Sequence, residues 1–179
     1  METYISLLRG INVGAQKKIL MKDLKALYEA LGFEKVQTYI QSGNVLFQTK
    51  KQDKEMLSRK VEKKIKEVYG FDVALLHLTI PDMEKIIAAN PYLASEKIQS
   101  LYVAFLYAIP ETAKMELLKK IDLTPDQYSI SDKAIYMCYD TSYGTSKMNN
   151  NFFETKLKLT ATTRNWKTTI KLKELAEAL

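Results

Sequence analysis

Cysteine and histidine occur once each in this 179-residue chain, as Cys138 and His77. A lone cysteine excludes an intrachain disulfide. One cysteine and one histidine together exclude zinc sites built from Cys and His, and the di-iron pattern that needs two histidines. Glycine is scarce, at six residues, and no Walker sequence, G-x-G-x-x-G or G-x-S-x-G occurs. Phosphate-loop, dinucleotide and hydrolase-elbow chemistries therefore lose their sequence support. No apolar run reaches the length of a membrane span. The first residues, Met1-Glu2-Thr3-Tyr4, are acidic where a signal peptide is basic. The expectation is a cytoplasmic protein with no membrane partner, no metal site and no cofactor named by its sequence.

What is present is an ordinary globular composition, 46% hydrophobic and 27% charged, rich enough to bury a core. The net charge of +6 is uneven. Residues 1–80 carry 14 basic and 9 acidic groups, residues 81–144 carry 6 and 9, and residues 145–179 carry 7 and 3. Basic ends favour an anionic partner such as a nucleotide or nucleic acid. Much of the excess lies in Lys50–Lys66, where interleaved acids match a solvated helix face.

The periodicity predicts strands at Thr3–Leu8, Val36–Ile40, Val45–Thr49 and Val73–Ile80. Helices are predicted at Met21–Leu31 and Asp53–Tyr69, the latter with Met56, Leu57, Val61, Ile65 and Val68 on its apolar side. That order, βαββαβ, is the ferredoxin-like plait. Pro81 opens a short helix, and a helical linker is expected over 81–100. A second βαββαβ series follows. Its strands are Leu101–Ile109, Tyr128–Ser131, Ala134–Tyr139 and Thr160–Thr163, and its helices Thr112–Ile121 and Lys147–Leu157. Trp166–Leu179 adds a terminal helix. The fold class is α+β, two ferredoxin-like plaits in tandem, with domains at 1–80 and 101–179. Because Val73–Ile80 and Leu101–Ile109 are apolar on both parities, both faces of each sheet should be covered.

Topology then juxtaposes motifs. In a sheet of order 4-1-3-2 the end of strand one lies beside the turn between strands two and three. Arg9-Gly10-Ile11-Asn12 should therefore meet Gln41-Ser42-Gly43-Asn44, with Gln16, Lys17 and Lys18 nearby. The cluster Arg9, Asn12, Lys18, Gln41, Ser42 and Asn44 has the donors, amides and glycines of a small anionic-ligand pocket. The same residues also make a good turn and a braced loop, and both readings stand at this point. In the second plait two strand ends reach one sheet edge. Ser146 and Asn165 are candidate N-caps there, with Lys147, Thr163, Arg164 and Trp166 alongside. An anion site between two helix starts competes here with two capped helices packed around Trp166. His77 and Cys138 fall in apolar strands, and packing is the expectation for both.

The strings Tyr4-Ile5-Ser6-Leu7-Leu8-Arg9-Gly10-Ile11-Asn12-Val13-Gly14 and Thr38-Tyr39-Ile40-Gln41-Ser42-Gly43-Asn44-Val45 resemble the bacterial family known as domain of unknown function 1697. Lys18-Ile19, Met21, Asn90-Pro91-Tyr92, Gly144-Thr145-Ser146-Lys147 and Thr163-Arg164-Asn165-Trp166 share in the resemblance. It implies tandem ferredoxin-like plaits and no assigned reaction. Ala15 stands where a second glycine is usual, and Tyr92 where phenylalanine is commoner. Three functional expectations follow. The leading one is a small polar or anionic ligand bound at the edge of the first sheet. The alternatives are an enzyme acting on a phosphorylated small molecule and a nucleic-acid-binding plait.

Overall fold

The computed structural model describes residues 1–94 and 98–179. The expected linker over 81–100 therefore lies in part outside the described residues. The chain forms two compact units, Met1–Lys85 with Lys171–Leu179, and Ile86–Ile170.

In the first unit the elements are β1 (Glu2–Leu8), α1 (Met21–Ala30), β2 (Glu34–Tyr39), β3 (Asn44–Thr49), α2 (Lys54–Tyr69), β4 (Leu75–Thr79) and α3 (Ile80–Ala88), the last continuing past Lys85. The sheet order is β2-β3-β1-β4, all antiparallel. Leu24, Leu27 and Tyr28 supply the buried stripe of α1, and Leu57, Val61 and Ile65 that of α2. The second stripe is narrower than its periodicity suggests, because Met56 and Val68 are exposed. Asp53 starts α2 by accepting from Met56 N at 2.9 Å, and Gly70, with φ +78°, ends it. β4 is shorter than expected at both ends. Asp82 Oδ2 accepts from Thr79 N and Thr79 Oγ1, both at 2.8 Å, which turns the chain into α3 at Ile80.

The second unit repeats the order with β5 (Leu101–Leu106), α4 (Thr112–Lys119), β6 (Gln127–Ser131), β7 (Ala134–Cys138), α5 (Asn150–Leu157) and β8 (Ala161–Asn165), in sheet order β6-β7-β5-β8. The last helix, α6 (Trp166–Glu177), begins in this unit, and its residues from Lys171 onward group with the first. There Lys173 pairs with Glu84 at 4.0 Å and Lys35 Nζ donates to the carbonyl of Leu179.

Both strand parities are buried in the central strands. Tyr4, Leu8, Val45 and Phe47 lie in the core that includes Leu24, Leu57 and Val61, while Ile5, Leu7 and Leu46, of the opposite parity, are also buried. β5 and β7 show the same double burial. The aromatic centre of the first core is Phe47, stacked on Phe33 at 4.5 Å and met edge-on by Tyr28 and His77.

Candidate functional site

The first edge is assembled by backbone pairing. Leu7 lies opposite Asn44 in the β1–β3 register. Beyond it Leu8 N donates to Gly43 O at 2.8 Å, and Arg9 N donates to Ala74 O at 3.0 Å. The Arg9–Leu20 loop thus leaves the sheet beside the hairpin turn. Gly43 is required by space as well as by its φ of +77°. A Cβ there would lie 2.7 Å from Ile11 Cδ1 and 2.8 Å from Leu8 Cβ.

Asn12 organises the loop. Its Oδ1 accepts from Ile19 N at 2.9 Å, and its Nδ2 donates to Ile19 O at 3.0 Å and to Gln41 O at 2.9 Å. Its own N–H closes onto Lys17 O at 3.2 Å. The buried Asn44 donates from Nδ2 to Tyr39 O at 2.9 Å and to Ser42 Oγ at 3.0 Å. These bonds commit both amides to shaping backbone. Lys18 and Gln41 are exposed, Arg9 and Ser42 are half-buried, and Lys17 reaches Asp72 O at 2.7 Å.

Three features of this edge escape the sequence reading. Positive φ alternates along the loop, at Gly10 (+68°), Asn12 (+56°) and Gly14 (+62°), skipping Ile11 and Val13. α1 starts on Leu20, which offers no side-chain cap. Asp23 N and Leu24 N bond back to Leu20 O, each at 3.0 Å. Ile40, read as the end of a strand, instead has a φ of +50° after β2 stops at Tyr39. A β-branched residue there is an outlier. Its position next to the Gln-Ser-Gly-Asn turn was the one signal in the sequence.

The second cluster is held differently from the expectation. Ser146 does not cap α5. Its Oγ donates to Asp126 Oδ2 at 2.6 Å and accepts from Met148 N at 3.0 Å. Asn149 is the cap, accepting from Phe152 N at 3.0 Å, so the helix begins at Asn150 rather than Lys147. The buried Asp126 also accepts from Asp140 N, Thr141 N and Thr141 Oγ1. Burial pushes its carboxyl upward, but the hydrogen bonds from Ser146 and Thr141 outweigh this and hold it below the usual range. Asn165 does begin α6, accepting from Thr168 N at 2.8 Å. Trp166 is buried.

Thr163 reaches α5, donating to Asn150 Oδ1 at 3.1 Å. Arg164 has the opposite strand parity and is 6% exposed, donating to Thr162 Oγ1 and Thr163 O at 2.9 Å each. Burial pushes its guanidinium down to about 10. Lys147 is exposed in the segment before α5. The two cations thus differ in exposure, Arg164 buried and Lys147 at the surface.

His77 is buried in the first core. Ser58 gives its proton to Lys54 O at 3.0 Å, so its Oγ, 2.8 Å from His77 Nδ1, accepts from the ring. Nδ1 thus carries a proton, and burial keeps the ring neutral. Burial pushes its pKa down to about 3. Among the described residues no group of three His, Cys, Asp or Glu side chains is placed to hold a metal, and no helix is long and apolar enough to cross a membrane.

Two four-stranded antiparallel sheets, each with helices packed on it in βαββαβ order, define a tandem ferredoxin-like α+β protein. The chain belongs to the family described as protein of unknown function (DUF1697), whose model matches residues 1–136. It is similar in fold to the conserved bacterial protein SP0830 from Streptococcus pneumoniae, at 24% identity, TM-score 0.79 and 98% coverage of each chain. A search of curated proteins returned no match.

Proposed function

We propose that the Arg9–Leu20 loop binds a small anion, with its backbone amides as the cradle and basic side chains as the attracting charge. The observation that carries this is the alternation of left-handed residues at Gly10, Asn12 and Gly14. Alternating backbone hand turns neighbouring N–H groups toward one concavity, the geometry of anion-binding nests, with the Asn12 N–H itself spent on Lys17 O. Two further features support it. The amides of Met21 and Lys22, at the start of α1, have no acceptor among the described residues. Lys18 and Lys22 are exposed beside them.

Asn12 and Asn44 serve this reading as positioning residues rather than as ligand contacts. The enzyme alternative lacks comparable support, since the sole histidine is buried in the core. The nucleic-acid alternative needs stacking aromatics on the central strands, and Tyr4 and Phe47 are buried. A cytoplasmic location belongs to the same proposal, supported by the single cysteine.

The test is thermal unfolding in increasing inorganic phosphate. Phosphate should raise the melting temperature by mass action on the folded state. The Lys18→Ala/Lys22→Ala double variant should lose most of that rise while melting normally in its absence. No rise in the wild type, or an equal rise in the variant, would defeat the proposal.

A further inference from the structure

We propose that the same edge lies against an anionic phospholipid surface, an inference that rests on the anion-binding reading above and names the anion's source. Ten large apolar side chains are exposed among the described residues, and three of them adjoin in sequence the residues that one amide joins. Val13 (70% exposed), Leu20 (61%) and Ile40 (48%) are the chain neighbours of Asn12, Ile19 and Gln41. The Asn12 amide joins those three residues through its bonds to Ile19 O and Gln41 O. Scattered exposed aliphatics are ordinary, but aliphatics gathered on the tips of adjoining turns are not.

Two of the three also break a local rule. Leu20 occupies an N-cap, where Ser, Thr, Asp or Asn is preferred. Ile40 occupies a left-handed position, where Gly or Asn is preferred. At both places an aliphatic side chain is held outward at a cost in local stability. Around them the stretch from Arg9 to Lys25 carries five basic residues and one acidic, Asp23. Lys18 and Lys22 are exposed and Arg9 is half-buried.

Aliphatic tips within a cationic rim fit the boundary between headgroups and acyl chains, which uses both. A free phosphate has no use for the aliphatics. A stable protein interface needs about 800 Å² from each partner and usually an aromatic anchor. Three aliphatic tips supply neither. The expectation of no membrane partner came from the lack of a spanning segment, and a surface-lying face needs none.

The test is co-sedimentation of the full chain with vesicles of phosphatidylglycerol mixed equally with phosphatidylcholine, and with phosphatidylcholine alone. The wild type should bind the anionic vesicles, bind the neutral ones weakly, and dissociate as salt rises from about 0.1 M toward about 0.5 M. Val13→Asp and Ile40→Asn should each weaken binding about tenfold, as loss of one buried aliphatic implies. Asparagine tolerates the backbone at position 40, so Ile40→Asn should melt no lower than the wild type while binding vesicles about tenfold more weakly. Failure of the wild type to bind anionic vesicles, or unchanged binding by both variants, overturns the inference. If phosphate still raises the melting temperature in that case, the anion site stands and only its lipid source is wrong. If phosphate has no effect either, both readings fall. Capture of an acidic soluble protein in place of vesicles would overturn this inference in favour of a protein partner.

Discussion

Acid should destabilise this protein in large part through one identifiable residue. His77 is neutral in the folded state, with its pKa pushed down to about 3 by burial, whereas in the unfolded chain it returns to the ordinary value near 6.5. Protonation therefore favours the unfolded chain. The histidine's contribution is fully present above about pH 6.5 and is lost as pH falls toward 3. Each pH unit in that window is worth about 1.4 kcal/mol, so acidification from pH 7 to pH 4 should cost about 3 kcal/mol through this group alone. That is a large share of the roughly 5–15 kcal/mol that holds a typical domain together. Carboxylates such as Asp82 and Asp126, held below their usual range, lose stability as pH falls as well. A control that keeps them is needed. His77→Gln provides it, because glutamine has a donor for Ser58 and does not titrate. Urea unfolding of both proteins should be measured from pH 7 to pH 4. The variant should be the less stable at pH 7, and the gap should close by about 3 kcal/mol on acidification. His77 is the sole histidine, so its ring protons can be followed by NMR without assignment ambiguity, and they should not titrate above pH 4. Parallel stability curves, or a ring that titrates near 6.5, would refute the reasoning.

Gly43→Ala should destabilise the first unit by about 2 kcal/mol or more, because the added Cβ meets Ile11 and Leu8 at a left-handed position; a melting curve superimposable on the wild type would contradict this. Asp126→Ala should cost about 2–4 kcal/mol, since it strips the acceptor from Ser146, Thr141 and the amide of Asp140. Ser146→Ala removes only one of those donors and should cost less, an ordering that chemical denaturation of the two variants would check.

The meeting of the Arg9 loop with the 41–44 turn was legible because it depends on topology alone. Strand one and strand three are neighbours in any sheet of this order, and residue type hardly enters. The roles of Asn12 and Asn44 were not legible, because an amide in a loop suits a ligand and a backbone carbonyl equally well. Only the rotamer decides, and no spacing encodes it. Ser146 illustrates a second limit. In Ser146-Lys147-Met148-Asn149 two residues suit a cap, and the choice falls to Asn149 because Asp126, 20 residues upstream, takes the serine hydroxyl. A long-range partner thus overrides a local preference. Arg164 stands in the sequence as a candidate anion-site residue, while its parity with Thr162 carries it to a buried position. Ile40 shows the converse, an aliphatic residue that strand patterning assigns to an interior and that the turn holds outward.

The closure of Asn12 N onto Lys17 O divides the loop into parts of unequal freedom. Arg9 is tied to Ala74 O and Asn12 to Gln41 O, and from Ile19 onward the chain is held by the amide bridge and α1. Length changes have room in the intervening stretch, above all in the exposed residues Val13–Gln16. An insertion there lengthens a small side loop and leaves the bridge intact. One residue added between Lys18 and Leu20, or between Tyr39 and Asn44, displaces Ile19 or Gln41 from the Asn12 amide that joins them. This twelve-residue loop should therefore tolerate inserted sequence at its tip and almost none at its base.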